Sequence, residues 1–294
     1  MFRKLWGISN SERKKIIRIN DFFERVEVIN LDRREDRLKA IDVQAIHLGI
    51  QFYRRKAHDG RDPEISSEFE KLDPFRYVEH APEKVPKLPD ETEHNHEIRL
   101  RAEGLNTSSP LLGSPGALAL LKSTQSILVD AIADGVETLL ILEDDVVFHK
   151  DTLRNFDAIV GKLPLNWKIL QLGTMRYGWS KKRTSYYSKN LLRQGRSIGS
   201  HAVGLRREVF GEFLELISRY DSAQDIGALS TLCSRHFNNS FVTIPQICIQ
   251  GTLETDIQTS SNAGSTHSFE RDVKLRWKRT SYLNPNELLR LHSV

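Results

Sequence analysis

The chain has 294 residues, of which 39% are hydrophobic and 28% charged, and its formal net charge is +4. This length and composition describe a globular protein with a substantial core, as one large domain or a domain with appended pieces. No stretch approaches the roughly twenty apolar residues that span a bilayer, and the amino terminus lacks the apolar core of a signal peptide, so a cytoplasmic location is expected.

The chain opens with a basic amphipathic segment, residues 1–24, in which Phe2, Leu5, Trp6, Ile8, Ile16 and Ile17 alternate with Arg and Lys. Such a segment suits peripheral contact with an anionic membrane. Further basic clusters at 33–37, 54–56, 181–183 and 271–279 suit phosphorylated ligands or the same surface. A nucleic-acid partner is not expected.

Residues 26–31 read as a first strand. Residues 33–48 read as a helix with Leu38, Ile41, Ala45 and Ile46 turned inward before Gly49, and 50–53 resume strand character before the turn pair Asp59-Gly60. Residues 82–114 hold four of the ten prolines and few large apolar side chains, which predicts a long surface excursion. Within it, Glu93, His94, His96 and Glu97 resemble a metal cluster, but a polar loop fixes no ligand geometry. From Ser114 the pattern changes. Ser114 is an N-cap candidate, Pro115 suits the first turn, apolar residues recur at helical spacing to Asp134, and Gly135 follows the end.

Residues 138–142 form an unbroken apolar run, as in a strand buried on both faces, and end in Glu143, Asp144 and Asp145. Asp151 then precedes a helix with Phe156, Ile159, Val160 and Leu163 inward. A strand at 167–172, mixed aromatics and cations at 177–187, a strand at 201–205, a helix at 207–220 and a strand at 241–244 follow. This alternation predicts an α/β fold. The expected division is 1–24 as the amphipathic segment, 25–260 as the main domain and 261–294 as a basic tail. Cys233 and Cys248 have no metal-ligand spacing and read as ordinary thiols.

The acidic triplet is the expected centre of chemistry. Three adjacent carboxylates at a strand end repel one another and lose hydration, a cost that a divalent cation relieves. In open α/β sheets ligands bind beyond the carboxyl ends of the strands, where these acids lie.

Four segments together resemble glycosyltransferase family 25: Val-Ile-Asn-Leu-Asp-Arg-Arg-Glu-Asp-Arg at 28–37, Ala-His-Asp-Gly at 57–60, Leu-Ile-Leu-Glu-Asp-Asp-Val at 140–146 and Thr-Asp-Ile at 255–257. The resemblance runs over about 25–257. It implies a GT-A type, Rossmann-like fold with a mixed, mainly parallel sheet flanked by helices. It also implies a UDP-sugar donor, most often UDP-galactose or UDP-glucose, and inverting transfer to a glycan or glycolipid acceptor. One departure stands out. Where the family usually has Gly-Cys-x-x-Ser-His before the acidic strand, residues 116–121 read Gly-Ala-Leu-Ala-Leu-Leu, so Leu120 and Leu121 replace the Ser-His pair.

The expected site follows. Glu143 and Asp145, two apart in an extended stretch, share one side and hold Mn²⁺ or Mg²⁺, with Asp256 completing the metal or acceptor site. Asp144 turns toward the sugar or ribose. Asn30 and Leu31 at the first strand's end meet the nucleobase or ribose, with Asp59 and Gly60 beside them. Arg34 and Arg37, one helical turn apart, face the donor together, whereas Arg33 is assigned to an exposed face. Inversion needs a base for the attacking hydroxyl; Asp225 is the candidate, with Asp221 competing. Two alternatives remain open. One is phosphoryl or nucleotidyl transfer, disfavoured because no Gly-rich motif for it is present. The other is a degenerate member that binds a nucleotide sugar or a partner without turnover, motivated by Leu120 and Leu121.

Overall fold

The structure is a computed structural model that describes residues 16–72, 112, 114–174, 184–195, 199–251 and 279–292. After one helical turn, α1 (Ile19–Phe22), the chain enters β1 (Arg25–Asn30), buried at every position but the first. A strand without an exposed face must be covered on both sides. The covering begins with α2 (Glu35–Leu48), closed by Gly49 in the left-handed region at φ 65°, followed by β2 (Tyr53–Lys56), which pairs parallel to β1. This strand lies later than the expected 50–53. A helix not read from the sequence, α3 (Pro63–Lys71), follows.

The next helix, α4 (Pro115–Ala133), starts as its sequence dictates: Ser114 Oγ accepts from Ala117 N at 3.2 Å, and Pro115 needs no donor there. Its 19 residues are long and apolar enough to cross a bilayer, contrary to the expectation that no stretch approaches that length. Half of that stretch is buried in the fold, where Leu118, Leu121, Ile127 and Leu128 pack into the core. It leads into β3 (Thr138–Glu143), parallel to β1 on the side opposite β2. Alternate residues of β3 serve the two faces of the sheet: Leu139 and Ile141 join one apolar cluster, Leu140 and Leu142 the other.

Beyond β3 lie β4 (Val146–Phe148), α5 (Thr152–Val160), β5 (Ile169–Gln171), the hairpin β6 (Thr184–Ser188) and β7 (Leu191–Gln194), β8 (Ala202–Arg206), α6 (Phe210–Ile217), α7 (Ser230–Arg235), β9 (Ser240–Thr243), β10 (Cys248–Gln250) and α8 (Pro285–His292). The main sheet has eight strands in the order β2-β1-β3-β8-β5-β9-β7-β6. Strands β8 and β7 run against their neighbours, so the other six share one direction. This is the mixed, mainly parallel α/β sheet flanked by helices that was expected. A separate antiparallel pair, β4 with β10, sets Gln250 opposite Val146, one residue from the acidic tip.

Several readings change. Ile46 is exposed, because the buried stripe of α2 runs through Ile41, Ala45 and Leu48. Asp151 precedes α5 without a side-chain capping bond. Residues 279–292 dock onto the domain: Leu283 N donates to Phe148 O and Lys150 N to Ser281 O, both at 2.8 Å, while Tyr282 and Leu288 are buried. Both cysteines are buried free thiols. Residues 1–15, the cluster of Glu93, His94, His96 and Glu97, the cations at 181–183 and Asp256 lie outside the described residues.

Candidate active site

At the carboxyl ends of β1 and β3 an open cleft is lined by Leu31, Arg33, Arg37, the turn at residues 57–60, all three acids of the tip and Gln250. Its other wall is one face of α4, with Gly116, Ala119, Leu120 and Ser123 at helical spacing. Backbone proximity shapes this wall. A Cβ at Gly60 would meet Gly116 N at 2.5 Å and Gly116 Cα at 2.6 Å, so the turn can lie against the start of α4 only because residue 60 has no side chain.

Each acid of the tip has its own partners. Asp144 is 7% exposed; its Oδ1 accepts from Arg37 Nη1 at 3.0 Å and its Oδ2 from Asn30 Nδ2 at 2.7 Å. Asp144 is thus turned onto Arg37 and Asn30. Asp145 is equally buried. Its Oδ2 accepts from Gln250 Nε2 at 3.1 Å and lies 3.7 Å from Arg37 Nη1, whereas its Oδ1 is buried without a hydrogen-bond partner. Glu143 accepts from Ser200 Oγ at 2.8 Å, and its backbone N–H donates to His201 O.

The electrostatics follow from this crowding. Burial, then the neighbouring Asp145, pushes the Glu143 carboxyl up to about 8, with Asp225 and Asp144 adding to the repulsion. Burial also lifts Asp145, to about 6, although Arg37 pulls against it. Both groups resist ionisation because burial removes water and the adjacent carboxylates repel, and Asp145 presents an unpartnered buried oxygen. Hard carboxylate oxygens in that condition fit Mg²⁺ or Mn²⁺, ions commonly held by one or two carboxylates and completed by substrate phosphates. Among the described residues no group of three His, Cys, Asp or Glu is gathered as a closed metal cage.

Asp225 opens a single π turn, Asp225–Leu229. Its Oδ2 accepts from Gly199 N at 2.7 Å and its Oδ1 from Ile226 N at 2.8 Å. Burial raises its pKa against those two backbone donors. Gly199 is in the left-handed region at φ 87°, and Ser200 beside it holds Glu143, so one short segment ties Asp225 to the strand-end acid. Asp221 accepts instead from its neighbour Ser222.

The arginines depart from the expected arrangement. Helix α2 begins at Glu35, which leaves Arg34 as its N-cap residue, outside the helical register that would align it with Arg37. Its guanidinium binds Asp36 through Nε at 3.0 Å and Nη2 at 2.9 Å. Arg33, assigned to an exposed face, lines the cleft and donates from Nε to Asp59 Oδ2 at 2.7 Å. Asn30 is spent on structure: it donates to Arg34 O as well as to Asp144, and accepts from Arg54. Sequence reasoning missed Arg33, Ser200 and Gln250, because only the tertiary fold brings the latter two to the acidic tip. Of the leucines that replace Ser-His, Leu120 faces the cleft and Leu121 is in the core.

No curated protein matches the chain. Among solved structures it is similar to a glycosyltransferase involved in the glycosylation of the major capsid of PBCV-1, at 12% identity over 84% of this chain and 99% of the other, with a TM-score of 0.37. It is also similar to UDP-glucose pyrophosphorylase complexed with UDP-glucose, at 13% identity over 86% and 99%, TM-score 0.38. A third is mannose-1-phosphate geranyltransferase from Thermus thermophilus, at 14% identity over 74% and 73%, TM-score 0.27. At such scores these likenesses carry no argument about activity. The model of glycosyltransferase family 25, LPS biosynthesis proteins, matches residues 23–204, which include β1, the acidic tip and the start of β8. The chain belongs to glycosyltransferase family 25 and is a glycosyltransferase.

Proposed function

We propose that this enzyme moves a hexose, galactose or glucose, from a UDP-sugar to a glycan or glycolipid acceptor with inversion, using Mn²⁺ or Mg²⁺. The observation that carries this reading is the acidic tip, set in an open cleft at the strand ends with one buried carboxylate oxygen of Asp145 unpartnered. Glu143 and Asp145 would hold the ion, and Asp256 is the proposed third ligand. When bound, it supplies Lewis-acid stabilisation of the charge that grows on the departing diphosphate. Asp144, fixed by Arg37 and Asn30, holds the tip's shape, while Leu31, Asp59 and Gly60 form the donor's side of the cleft.

The proposed base is Asp225. As the acceptor oxygen bonds to the anomeric carbon, the bond from that carbon to the diphosphate oxygen breaks, UDP leaves with the electron pair and the hydroxyl proton passes to Asp225. A carboxylate whose pKa is raised by burial is a better proton acceptor than an exposed one, and the Gly199 and Ile226 N–H groups fix its orientation. For a lipid-linked acceptor, the basic segments would hold the enzyme at an anionic inner leaflet. A second reading, binding of a nucleotide sugar without turnover, is favoured by Leu120 in the cleft wall.

Metal-dependent UDP release from a panel of UDP-sugars, with and without cell-envelope extract, separates these. One donor consumed by the wild type and not by Asp145→Ala supports transfer. Tight donor binding with no release in either condition supports the second reading.

A further inference from the structure

We propose that Arg33, positioned by Asp59 at the cleft, receives the diphosphate of an entering nucleoside diphosphate. The inference rests on the donor reading above and gives it a residue that neither the family match nor the sequence pattern assigns.

Among the described residues two guanidinium groups line the cleft, those of Arg33 and Arg37, and they differ in what they can do. Arg37 has a side chain only 7% exposed and is committed to Asp144 at 3.0 Å and near Asp145 at 3.7 Å. Withdrawing it to meet a phosphate would leave two buried carboxylates without their counter-charge, a cost far above that of an exposed pair. The Arg33 side chain is 27% exposed and its partner Asp59 is 21% exposed, so an anion can reach them. Partly exposed pairs of this kind hold weakly against water, so an incoming phosphate can share the guanidinium with Asp59.

Asp59 is itself anchored. Its Oδ1 accepts from Arg61 N at 3.0 Å while its Oδ2 takes the Arg33 Nε proton at 2.7 Å. The turn that carries Asp59 is pressed onto α4 through Gly60. The guanidinium plane is therefore oriented by a chain of contacts running back to the core, and a fork so oriented pairs with phosphate oxygens at less entropic loss than a free side chain. Arg34, with its guanidinium on Asp36, does not line the cleft.

The test is binding, which needs no acceptor. UDP is titrated calorimetrically into the full-length protein in Mn²⁺, and uridine is followed by ligand-observed NMR. Charge-assisted hydrogen bonds of this kind predict a loss of about 10- to 100-fold in UDP affinity for Arg33→Ala. Uridine affinity stays within about twofold. Arg33→Lys recovers part of the loss, because the charge returns without the fork, Asp59→Asn loses less than Arg33→Ala, and Arg34→Ala binds UDP as the wild type does. Equal UDP binding by Arg33→Ala and wild type, or parallel losses for UDP and uridine, overturns the assignment and leaves the donor reading standing. A wild type that binds no UDP overturns both.

Discussion

Arg37 is the keystone of the acidic tip, and removing it has a calculable cost. In Arg37→Met the Asp144 carboxylate keeps its 2.7 Å bond from Asn30 but loses the guanidinium at 3.0 Å, and Asp145 loses the same charge at 3.7 Å. Both aspartates are 7% exposed, so water cannot replace what is lost. Breaking a buried pair by removing one partner costs about 3–5 kcal/mol. With a urea slope of about 3 kcal/mol/M for a chain of this size, the unfolding midpoint in chelator falls by about 1 to 1.7 M. The double variant Arg37→Met/Asp144→Asn recovers most of that, because an amide at 144 still accepts from Asn30 and carries no charge to bury. Urea melts of the four proteins close the cycle. A single variant within about 1 kcal/mol of wild type, or a double variant no better than the single, refutes the view that this contact is what makes the tip tolerable.

Other consequences are separable. The ordinary Glu143 value of 4.5 is raised to about 8 in the fold, so between those values the folded chain keeps a proton that the unfolded chain has released. Metal-free stability therefore falls as pH rises through that window, by at most about 1.4 kcal/mol per unit, and urea midpoints between pH 6.5 and 8 in chelator should decline less in Glu143→Gln. His201, held neutral by burial at about 4, acts oppositely but only below its ordinary 6.5, so it leaves that range clear. Gly60→Ala places a methyl 2.5 Å from Gly116 N and should cost about 1–3 kcal/mol by thermal melting while weakening UDP binding; an unchanged melt argues against the close approach. Tyr282→Ala removes a ring that is 3% exposed and its bond to Gln246 O, and should destabilise by about 3 kcal/mol. A neutral result there would mean that residues 279–292 contribute little to the domain.

What the sequence disclosed and what it hid divide along physical lines. The buried run of β3, the capped start of α4 and the crossover α2 were legible because burial on two faces, Ser114 with Pro115, and apolar spacing each leave a local mark. The hairpin of β6 and β7 left none: Tyr186 is 77% exposed at a sheet edge beside Tyr187, and β7 buries the adjacent pair Leu191 and Leu192, so no apolar-polar alternation separates strand from loop. Helix α8 has Leu288 as its buried apolar contact and docks through Tyr282 and backbone bonds, which composition does not reveal. Within the site, the acids were readable as a triplet, but the arginines were displaced by one residue. The apolar pattern places the helix at 33, whereas the structure begins it at Glu35. That shift moves Arg34 out of the helical register and leaves Arg33 at the cleft.

The cleft's charges explain why both arginines matter in the proposed reading. Among the described residues, three carboxylates at the tip face one buried guanidinium, which leaves two negative charges if all ionise. A divalent cation offsets them, but the incoming diphosphate then restores negative charge at the mouth while Arg37 stays committed to Asp144. Positive charge must therefore be available in two forms: one fixed within the fold to stabilise the tip, and one exposed enough to meet the donor while Asp59 keeps it aimed. Arg37 on Asp144 meets the first requirement, and Arg33 on Asp59 meets the second. Exchanging their roles would fail either way, since a buried pair is too costly to open and an exposed pair is too weak to stabilise adjacent buried acids.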